Sequence, residues 1–451
     1  MKKNIYILSV CLLALWSCDD RLNIEPAQSI SVEAALSSEA NIKGILIGAY
    51  NEAGEDDSYG GQLQVISDLL GATNQLTWQG TFIQPREFFQ KGILVDNTWA
   101  EQAWRNGYET INQVNLVIDN IDIIEDAAEA DRVEGEAKFL RGLTYFDLVR
   151  HFGISWGASN TAPNSGVPLQ LTGIVDYSAD QSIARSTVAD IYAQVISDLT
   201  SAMALLPATN DEFADAFAAE ALLARVYLQQ GNYAAARDAA DNVIANSGHS
   251  MAATFAGAFN NDSDGSEDVF TFQVTNQTGA NDLVIYYADQ PTGGRQGDIA
   301  VAAGYTALFD DPVNDDRASF TYVSVDNGLD LTLKYSNQFA NVAVIRLAEM
   351  HLIRAESNER LGTSIGATPA DDINLNIRAR SNAPALAVVD VAAILNERQL
   401  ELGFEGFLIH DLKRTGTAVG TIPAADPSLV VPIPQDEMDT NPLMVQSLGY
   451  N

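Results

Sequence analysis

The sequence has 451 residues, of which 47% are hydrophobic, so it is long and apolar enough to bury a large core. It carries 60 acidic residues against 25 basic ones, which gives a formal net charge of −35. Because nucleic-acid binders gain affinity by neutralising phosphates, this charge argues against a nucleic-acid partner and disfavours polyanionic ligands. Surface charges are screened within roughly 8 Å at physiological salt, so a local basic pocket remains compatible with the composition.

The N-terminus has the pattern of a targeting segment. Two lysines precede the apolar run Ile5–Leu15, which is too short to span a bilayer. The run ends in Leu15-Trp16-Ser17-Cys18, which resembles a lipobox with a bulky Trp16 in place of a small residue. We predict a signal peptide over residues 1–17, lipidation of Cys18, and a tether over residues 18–31. The alternative is ordinary signal-peptidase cleavage without a lipid.

Helical periodicity dominates the first half of the chain that follows. Ser186 or Thr187 can cap the last helix before the midpoint, and Pro207 stops it. Two mixed stretches lack a helical period, and we interpret them as loops: Thr77–Val95, with a short strand, and Gly153–Gly173. The predicted helices are Val32–Ala53, Gln62–Leu76, Asp96–Ile123, Asp131–Arg150 and Val188–Leu206.

The stretch Phe217–Ile244 predicts a helical hairpin of the tetratricopeptide type. Two amphipathic runs flank Gly231-Asn232, where a helix end needs a left-handed residue and a turn. The small residues Ala224 and Ala236 let the two helices approach closely. One such hairpin cannot bury both of its faces, so it predicts further helices stacked around it.

The second half begins with a loop-rich excursion over about 248–340. Alternating stretches predict strands at Val269–Val274 and Leu283–Tyr287. Helices resume at Ala343–Leu361, Pro369–Arg380 and Val391–Leu402, the last of which can continue to Lys413, and the tail from 423 to 451 is extended. We therefore predict a single domain over 32–451 dominated by paired helices, about 32–247 and 341–414, with one irregular insertion containing short strands.

No pattern in the sequence indicates catalysis. It has no nucleophile elbow, phosphate loop or zinc-ligand spacing, and its four histidines are far apart in sequence. The segment from Asn260 to Ser266 resembles the first half of a calcium loop, with Asp262 and Asp264 as candidate ligands. The twelfth position is Thr271 rather than Glu, so the alternative is an acidic turn without a metal.

Short motifs spread over nearly the whole chain resemble those of the SusD/RagB family of surface lipoproteins. Their number and order carry the resemblance, although the motif after Glu405 departs from the family pattern at Phe407–His410. The matching stretches are Glu136–Arg141, Tyr145–Leu148, Phe152-Gly153, Val167–Leu169, Arg185–Val188, Arg346–Glu349, Asn376–Arg380, Glu397-Arg398, Glu401-Leu402, Phe404–Gly406, Val431–Pro434, Asn441-Pro442 and Gly449-Tyr450.

The resemblance implies a tetratricopeptide-like scaffold of about eight helices with loops over one face. It also implies a non-catalytic protein in the outer membrane, lipid-anchored and exposed at the cell surface, with Asp19-Asp20 resembling a surface-export signal. Such proteins bind an oligosaccharide or polysaccharide and deliver it to a TonB-dependent, SusC-like transporter. The charge favours a neutral glycan, for which a β-glucan such as laminarin is a guess. The alternative is an accessory lid or adaptor on a peptide-importing transporter.

Aromatic side chains are the candidates for sugar contact, because sugar rings present C–H faces that lie flat on aromatic rings. Trp99, Trp104 and Tyr108 share a helix at compatible spacing and are predicted to be core residues. Trp78 is predicted to lie exposed in a loop, with Asn74, Gln75 and Gln79 beside it, and Trp156 is a second candidate. Tyrosines of the excursion are expected to supply an opposing surface. The predicted glycan-binding residues are Trp78, Asn74, Gln79, Tyr286, Tyr287 and Tyr305.

Overall fold

The structure is a computed structural model, which describes residues 32–157, 159–274 and 280–450. The predicted signal peptide, Cys18, Asp19-Asp20 and the tether lie outside these residues. Helices dominate the described chain and the strands are few and short, so the predicted fold class is confirmed. None of the helices in the described ranges has the length and apolar character needed to cross a membrane.

The first half is a series of helices that pack against their neighbours in sequence. The predicted helix 32–53 is interrupted, because Ser38 caps a new helix by accepting a hydrogen bond from the amide of Asn41. The predicted loop 77–95 contains a helix that the sequence analysis missed, and the capping box of Thr187 and Asp190 starts the helix predicted there. The helices are α1 Val32–Ala35, α2 Glu39–Ala53, α3 Gln62–Gly71, α4 Ile83–Gln90, α5 Thr98–Asp119, α6 Ala127–Phe152 and α7 Val188–Leu205.

The predicted hairpin is confirmed as α8 Ala216–Gln230 and α9 Tyr233–Asn246. Gly231 adopts the left-handed conformation with φ +71°, which ends α8. Ala224 and Ala236 are fully buried, as close packing of the two helices requires. On its other side α9 packs against α12, Leu347–Leu361, so the hairpin connects the two halves of the chain.

Strands of the excursion take part in three two-stranded antiparallel sheets within the described residues, two of which are completed by a strand from outside it. The strands are β1 Leu76–Trp78, β2 Asp268–Phe272, β3 Ile299–Val301, β4 Thr321–Val323, β5 Asp330–Thr332 and β6 Val342–Arg346, paired as β1-β3, β2-β6 and β4-β5. The predicted strand at 269–274 is confirmed as β2. The predicted strand at Leu283–Tyr287 is wrong: Asn281 caps a short helix, α10 Asp282–Tyr287, by accepting a hydrogen bond from the amide of Val284. A second short helix, α11 Ala303–Thr306, follows β3.

The C-terminal part differs in detail from the predicted helices. Strand β6 occupies the start of the predicted helix 343–361, and a π-helix, Asp372–Arg378, lies inside the predicted helix 369–380. The tail predicted as extended contains a short helix. The helices here are α13 Pro369–Asp371, α14 Val391–Glu401, α15 Leu408–Thr415 and α16 Gln435–Thr440, so the continuation of α14 to Lys413 is interrupted.

Many charged residues of the family motifs lie buried in ion pairs. Arg141 on α6 pairs with Asp198 on α7, with an Nη2–Oδ1 distance of 2.7 Å. Arg225 on α8 donates two hydrogen bonds to Glu349 on α12 and a third to the carbonyl of Val344. Among the described residues ten arginine and lysine side chains are buried, and all but Arg185 pair with a carboxylate: Arg141, Arg185, Arg225, Arg317, Lys334, Arg346, Arg354, Arg378, Arg380 and Arg398.

Candidate functional site

Trp78, the main predicted contact residue, lies in strand β1 and not in a loop. Pairing with β3 places Trp78 opposite Ile299, and the ring is only 8% exposed. It packs beside Tyr286, which in turn makes an edge-to-face contact with Trp99 at 5.1 Å between ring centroids. The prediction of an exposed Trp78 is therefore wrong, since the alternation of β1 turns Leu76 and Trp78 into the core.

The predicted opposing tyrosines are also buried, so they do not offer ring faces to a ligand. The hydroxyl of Tyr287 donates to Asp68 at 2.6 Å, and that of Tyr305 donates to the carbonyl of Leu400 at 3.0 Å. Tyr286 and Tyr287 belong to helix α10, which packs on α3. The expectation that these three tyrosines form a surface opposite Trp78 is wrong, because they fill the core beneath it. Trp99 and Trp104 are buried as predicted.

Asn74 and Gln79 are exposed at the two ends of β1, as expected of residues that bind a ligand. The carbonyl of Asn74 accepts a hydrogen bond from the amide of Gly304. The amide of Gln79 donates to the carbonyl of Asp298 at 2.7 Å. The side chain of Gln79 donates only to Thr77, so its carbonyl oxygen is available to a ligand.

An exposed aromatic ring that the sequence analysis overlooked lies four residues after Trp78. Phe82 precedes helix α4 and is 41% exposed. The guanidinium of Arg295 covers part of this ring, with 3.5 Å from its central carbon to the ring centroid, a cation–π contact. Arg295 also pairs with Asp298 at 3.2 Å. The aromatic residues of the predicted loop 77–95 were the available signal. From that loop the prediction selected Trp78 and overlooked Phe82.

Polar side chains from two other segments attach to residues next to Arg295 and Phe82. Asn327 donates a hydrogen bond to the carbonyl of Gln296, which attaches the turn after β4 to the segment of Arg295. Arg86 on α4 donates to the carbonyl of Thr81. We call the exposed patch of Gln79, Phe82, Arg295 and Asn327 the Phe82 surface. It combines one flat ring, one flat guanidinium and two side-chain amides.

Burial raises the pKa of three carboxyl groups in this part of the protein. Burial, together with Asp56 and Asp57, raises the pKa of Asp282 to about 8. Burial and the neighbouring carboxylates also raise the pKa of Asp57 to about 6. Burial raises the pKa of Asp298, although Arg295 opposes the shift. These carboxyl groups can hydrogen-bond to hydroxyl groups, and in their charged form they repel anions.

Glycine at position 80 permits the packing under the Phe82 surface. A Cβ atom added to Gly80 would lie 2.4 Å from Cζ2 of Trp78 and 2.8 Å from Cγ of Asp298. Only a residue without a side chain allows the indole and this carboxyl group to approach the turn so closely. The indole Nε1 of Trp78 is buried and has no hydrogen-bond partner among the described residues. Trp78 thus supports the surface from beneath.

The two remaining candidates lie elsewhere. Asp264 accepts hydrogen bonds from Thr271 and Asn341, and Asp262 accepts one from Asn337. In the ranges that the structure describes, no group of three or more His, Cys, Asp or Glu side chains could hold a metal ion. Calcium binding at this turn stays a prediction. Trp156 is half-buried and packs on Tyr192 at 4.7 Å between ring centroids.

Comparisons with known proteins agree on one family. A family profile described as "Starch-binding associating with outer membrane" matches residues 20–228, and the profile of the SusD family matches residues 304–428. SusD-like protein P25 of Formosa agariphila is 23% identical over alignments that cover 100% of this chain and 99% of that protein. SusD-like protein P2 of the same organism is 28% identical, but the match covers 54% of this chain and only 47% of the relative.

Solved structures show the same fold. A SusD superfamily protein from Bacteroides thetaiotaomicron has a TM-score of 0.83 and 26% identity, covering 91% of this chain and 99% of that one. A laminarin-binding SusD-like protein has a TM-score of 0.76 and 22% identity, covering 92% of this chain and 100% of that one. The second likeness concerns the fold alone.

Proposed function

Because the chain belongs to the SusD family of carbohydrate-binding proteins, we propose that it captures a neutral oligosaccharide or polysaccharide at the cell surface and performs no chemistry on it. The observation that carries the proposal is the Phe82 surface, an exposed ring beside a half-buried guanidinium and two exposed amide residues. The C–H face of a pyranose can lie on Phe82, while a hydroxyl donates to the side-chain oxygen of Gln79, which has no partner among the described residues. The rigid sheet β1-β3 holds these loop residues in place.

Charge supports a neutral ligand over an anionic one. Arg295 is the one cation of the Phe82 surface itself, and its partner Asp298 already balances it. The carboxylates of Asp56, Asp57 and Asp282 lie close enough to one another to raise the pKa of Asp282. A polyanion approaching this region would meet unfavourable fields, whereas hydroxyl groups would find acceptors. A β-glucan such as laminarin belongs in the test panel on this ground.

The proposal is tested first with a glycan array probed with the mature domain, followed by calorimetry with the best neutral glycan found. Phe82→Ala and Arg295→Ala should each weaken binding more than tenfold, since a central aromatic or arginine contact is commonly worth about 2 kcal/mol. Tyr177→Ala is the matched control, because Tyr177 is also an exposed aromatic side chain, at 74%, in the different loop 153–187. Normal binding by Phe82→Ala would exclude the Phe82 surface as the site.

We further propose that the protein is anchored through Cys18 and delivers its glycan to a TonB-dependent, SusC-like transporter. The paired helices supply an extended surface of the kind that helical-repeat proteins use for protein contacts. Affinity purification from membranes in mild detergent should recover a large β-barrel protein in near-equal amount. Recovery of the lipoprotein alone would contradict this partnership. Co-purification of a transporter together with no binding on the glycan array would favour the adaptor role on a peptide transporter.

A further inference from the structure

A groove beside the turn 54–61 has the features of a second sugar-binding site. It lies between the C-terminal end of α2, the turn before α8 and strand β2, and its volume is about 190 Å³. By comparison, the cavity lined by Phe259 and Lys334 has about 40 Å³. A cavity of about 150 Å³ is enough to admit a six-membered ring. We call this space the α2 groove.

Aromatic rings form the walls of the α2 groove and are held firmly. Phe213 and Tyr50 meet edge to face at 5.0 Å between centroids. The hydroxyl of Tyr50 accepts a hydrogen bond from the amide of Ala214, which fixes the ring. Phe272 stacks on Tyr59 behind it at 5.2 Å. Phe213 remains half-buried, so part of its ring borders the open space.

Polar side chains at the rim of the α2 groove have no partner among the described residues. Asn51, Glu55 and Glu212 are exposed, and none of their side chains makes a hydrogen bond or ion pair with a described residue. In contrast, Gln273 at the opposite edge is already bonded to Asp264. An amide and two carboxylates beside an aromatic wall offer both donors and acceptors to the hydroxyls of a sugar ring.

The composition of the lining selects the chemical class of the ligand. No lysine, arginine or histidine lines the groove, so an anionic group would meet two carboxylates and no cation. We infer that the α2 groove binds one neutral pyranose unit, as a carbohydrate site separate from the Phe82 surface. This inference rests on the proposed carbohydrate-binding function. A long glycan could then contact the protein at two places, which raises its apparent affinity without a stronger single contact.

Saturation-transfer NMR with the methyl glycosides of glucose, galactose, mannose and xylose tests the inference. The protein is the full mature chain carrying Phe82→Ala, which removes the first site. At least one methyl glycoside should show saturable transfer, and adding Asn51→Ala with Glu212→Ala should weaken it at least tenfold. The control is Phe82→Ala with Glu125→Ala, because Glu125 is an exposed carboxylate elsewhere. All these side chains are exposed, so the melting temperature should stay the same.

Three outcomes overturn the inference. Transfer that persists in the Asn51 and Glu212 variant places the sugar elsewhere, and no transfer from any of the four glycosides excludes a pyranose site. The methyl glycoside of glucosamine serves as a fifth probe, and a preference for it that disappears on neutralising its amine would show a cation site instead. The proposed function is judged separately, by the glycan array and calorimetry on the wild-type protein and on Phe82→Ala. Normal calorimetric binding by Phe82→Ala, with saturation transfer still weakened by the Asn51 and Glu212 substitutions, would refute the Phe82 surface and leave the α2 groove.

Discussion

The substitution Gly80→Ala should damage the support of the Phe82 surface at a known place. The new Cβ would lie 2.4 Å from Trp78 and 2.8 Å from Asp298, well inside normal carbon contact distances. Trp78 is 8% exposed and packed on Tyr286, so its ring has little space to move away. The backbone of the turn must therefore shift. Because the amide of Gln79 donates to the carbonyl of Asp298, the shift reaches the exposed residues directly.

The expected cost in the free energy of unfolding is about 1–3 kcal/mol, the usual range for overpacking a well-filled interior. Displacing Gln79 and separating Arg295 from Phe82 should also raise the Kd for the bound glycan by about tenfold, or about 1.4 kcal/mol. Denaturant unfolding gives the first quantity, and isothermal titration calorimetry gives the second.

Gly92→Ala provides a matched control for this substitution. A Cβ added to Gly92 meets nothing within 4 Å, so the variant should keep both the stability and the affinity of the wild-type protein. If Gly80→Ala behaves like Gly92→Ala, the packing of Trp78 against the turn is not as described. If it loses stability and keeps full affinity, the glycan binds away from the Phe82 surface.

Four further predictions concern other parts of the protein. Trp78→Ala should cost about 3–5 kcal/mol in denaturant unfolding as a core truncation, and unchanged stability would show an accessible ring. Arg225→Met should cost about 3–5 kcal/mol by leaving Glu349 buried without its cation, and calorimetric unfolding would show it. Burial lowers the pKa of His151 to about 4. As the pH falls from 6.5 to 4, the unfolded state therefore takes up a proton before the folded state does, and the stability of the protein decreases. Denaturant unfolding measured across this pH range should show a smaller decrease for His151→Gln than for the wild-type protein. Cys18→Ala should abolish palmitate labelling and release the protein from the membrane fraction.

The features that the sequence predicted well are those decided within a short stretch of chain. The hairpin 217–244 was predictable because its helical period, its Gly231 stop and its small contact residues all lie within 28 residues, and the structure places the turn at that glycine. The helix starting after Thr187 was equally local, since a capping box needs only four residues. Local signals of this kind agree with each other and with the fold.

The predicted binding residues were wrong where their burial depends on residues far away in the sequence. Trp78 is buried because β1 pairs with β3, whose residues follow more than 200 positions later. Nothing near Trp78 in the sequence shows that pairing, and the flanking amides suggested an open loop. The alternation at Leu283–Tyr287 indicated a strand, but Asn281 caps a helix whose successive residues are nearly all buried. Burial on every side removes the contrast on which periodicity depends.

The buried ion pairs link the family resemblance to the proposed choice of ligand. The motif residues Arg141 and Arg346, together with Arg225, hold neighbouring elements together from inside the protein. Their charges are balanced there, so they contribute little to the field outside. Since nine of the ten buried basic residues are paired with carboxylates in this way, the exposed surface is poor in cations relative to its many carboxylates. Because so many of its cations are buried in ion pairs, the surface of the protein repels polyanions. This is the reason for proposing a neutral glycan, recognised by a flat ring and hydrogen bonds, in preference to a polyanion.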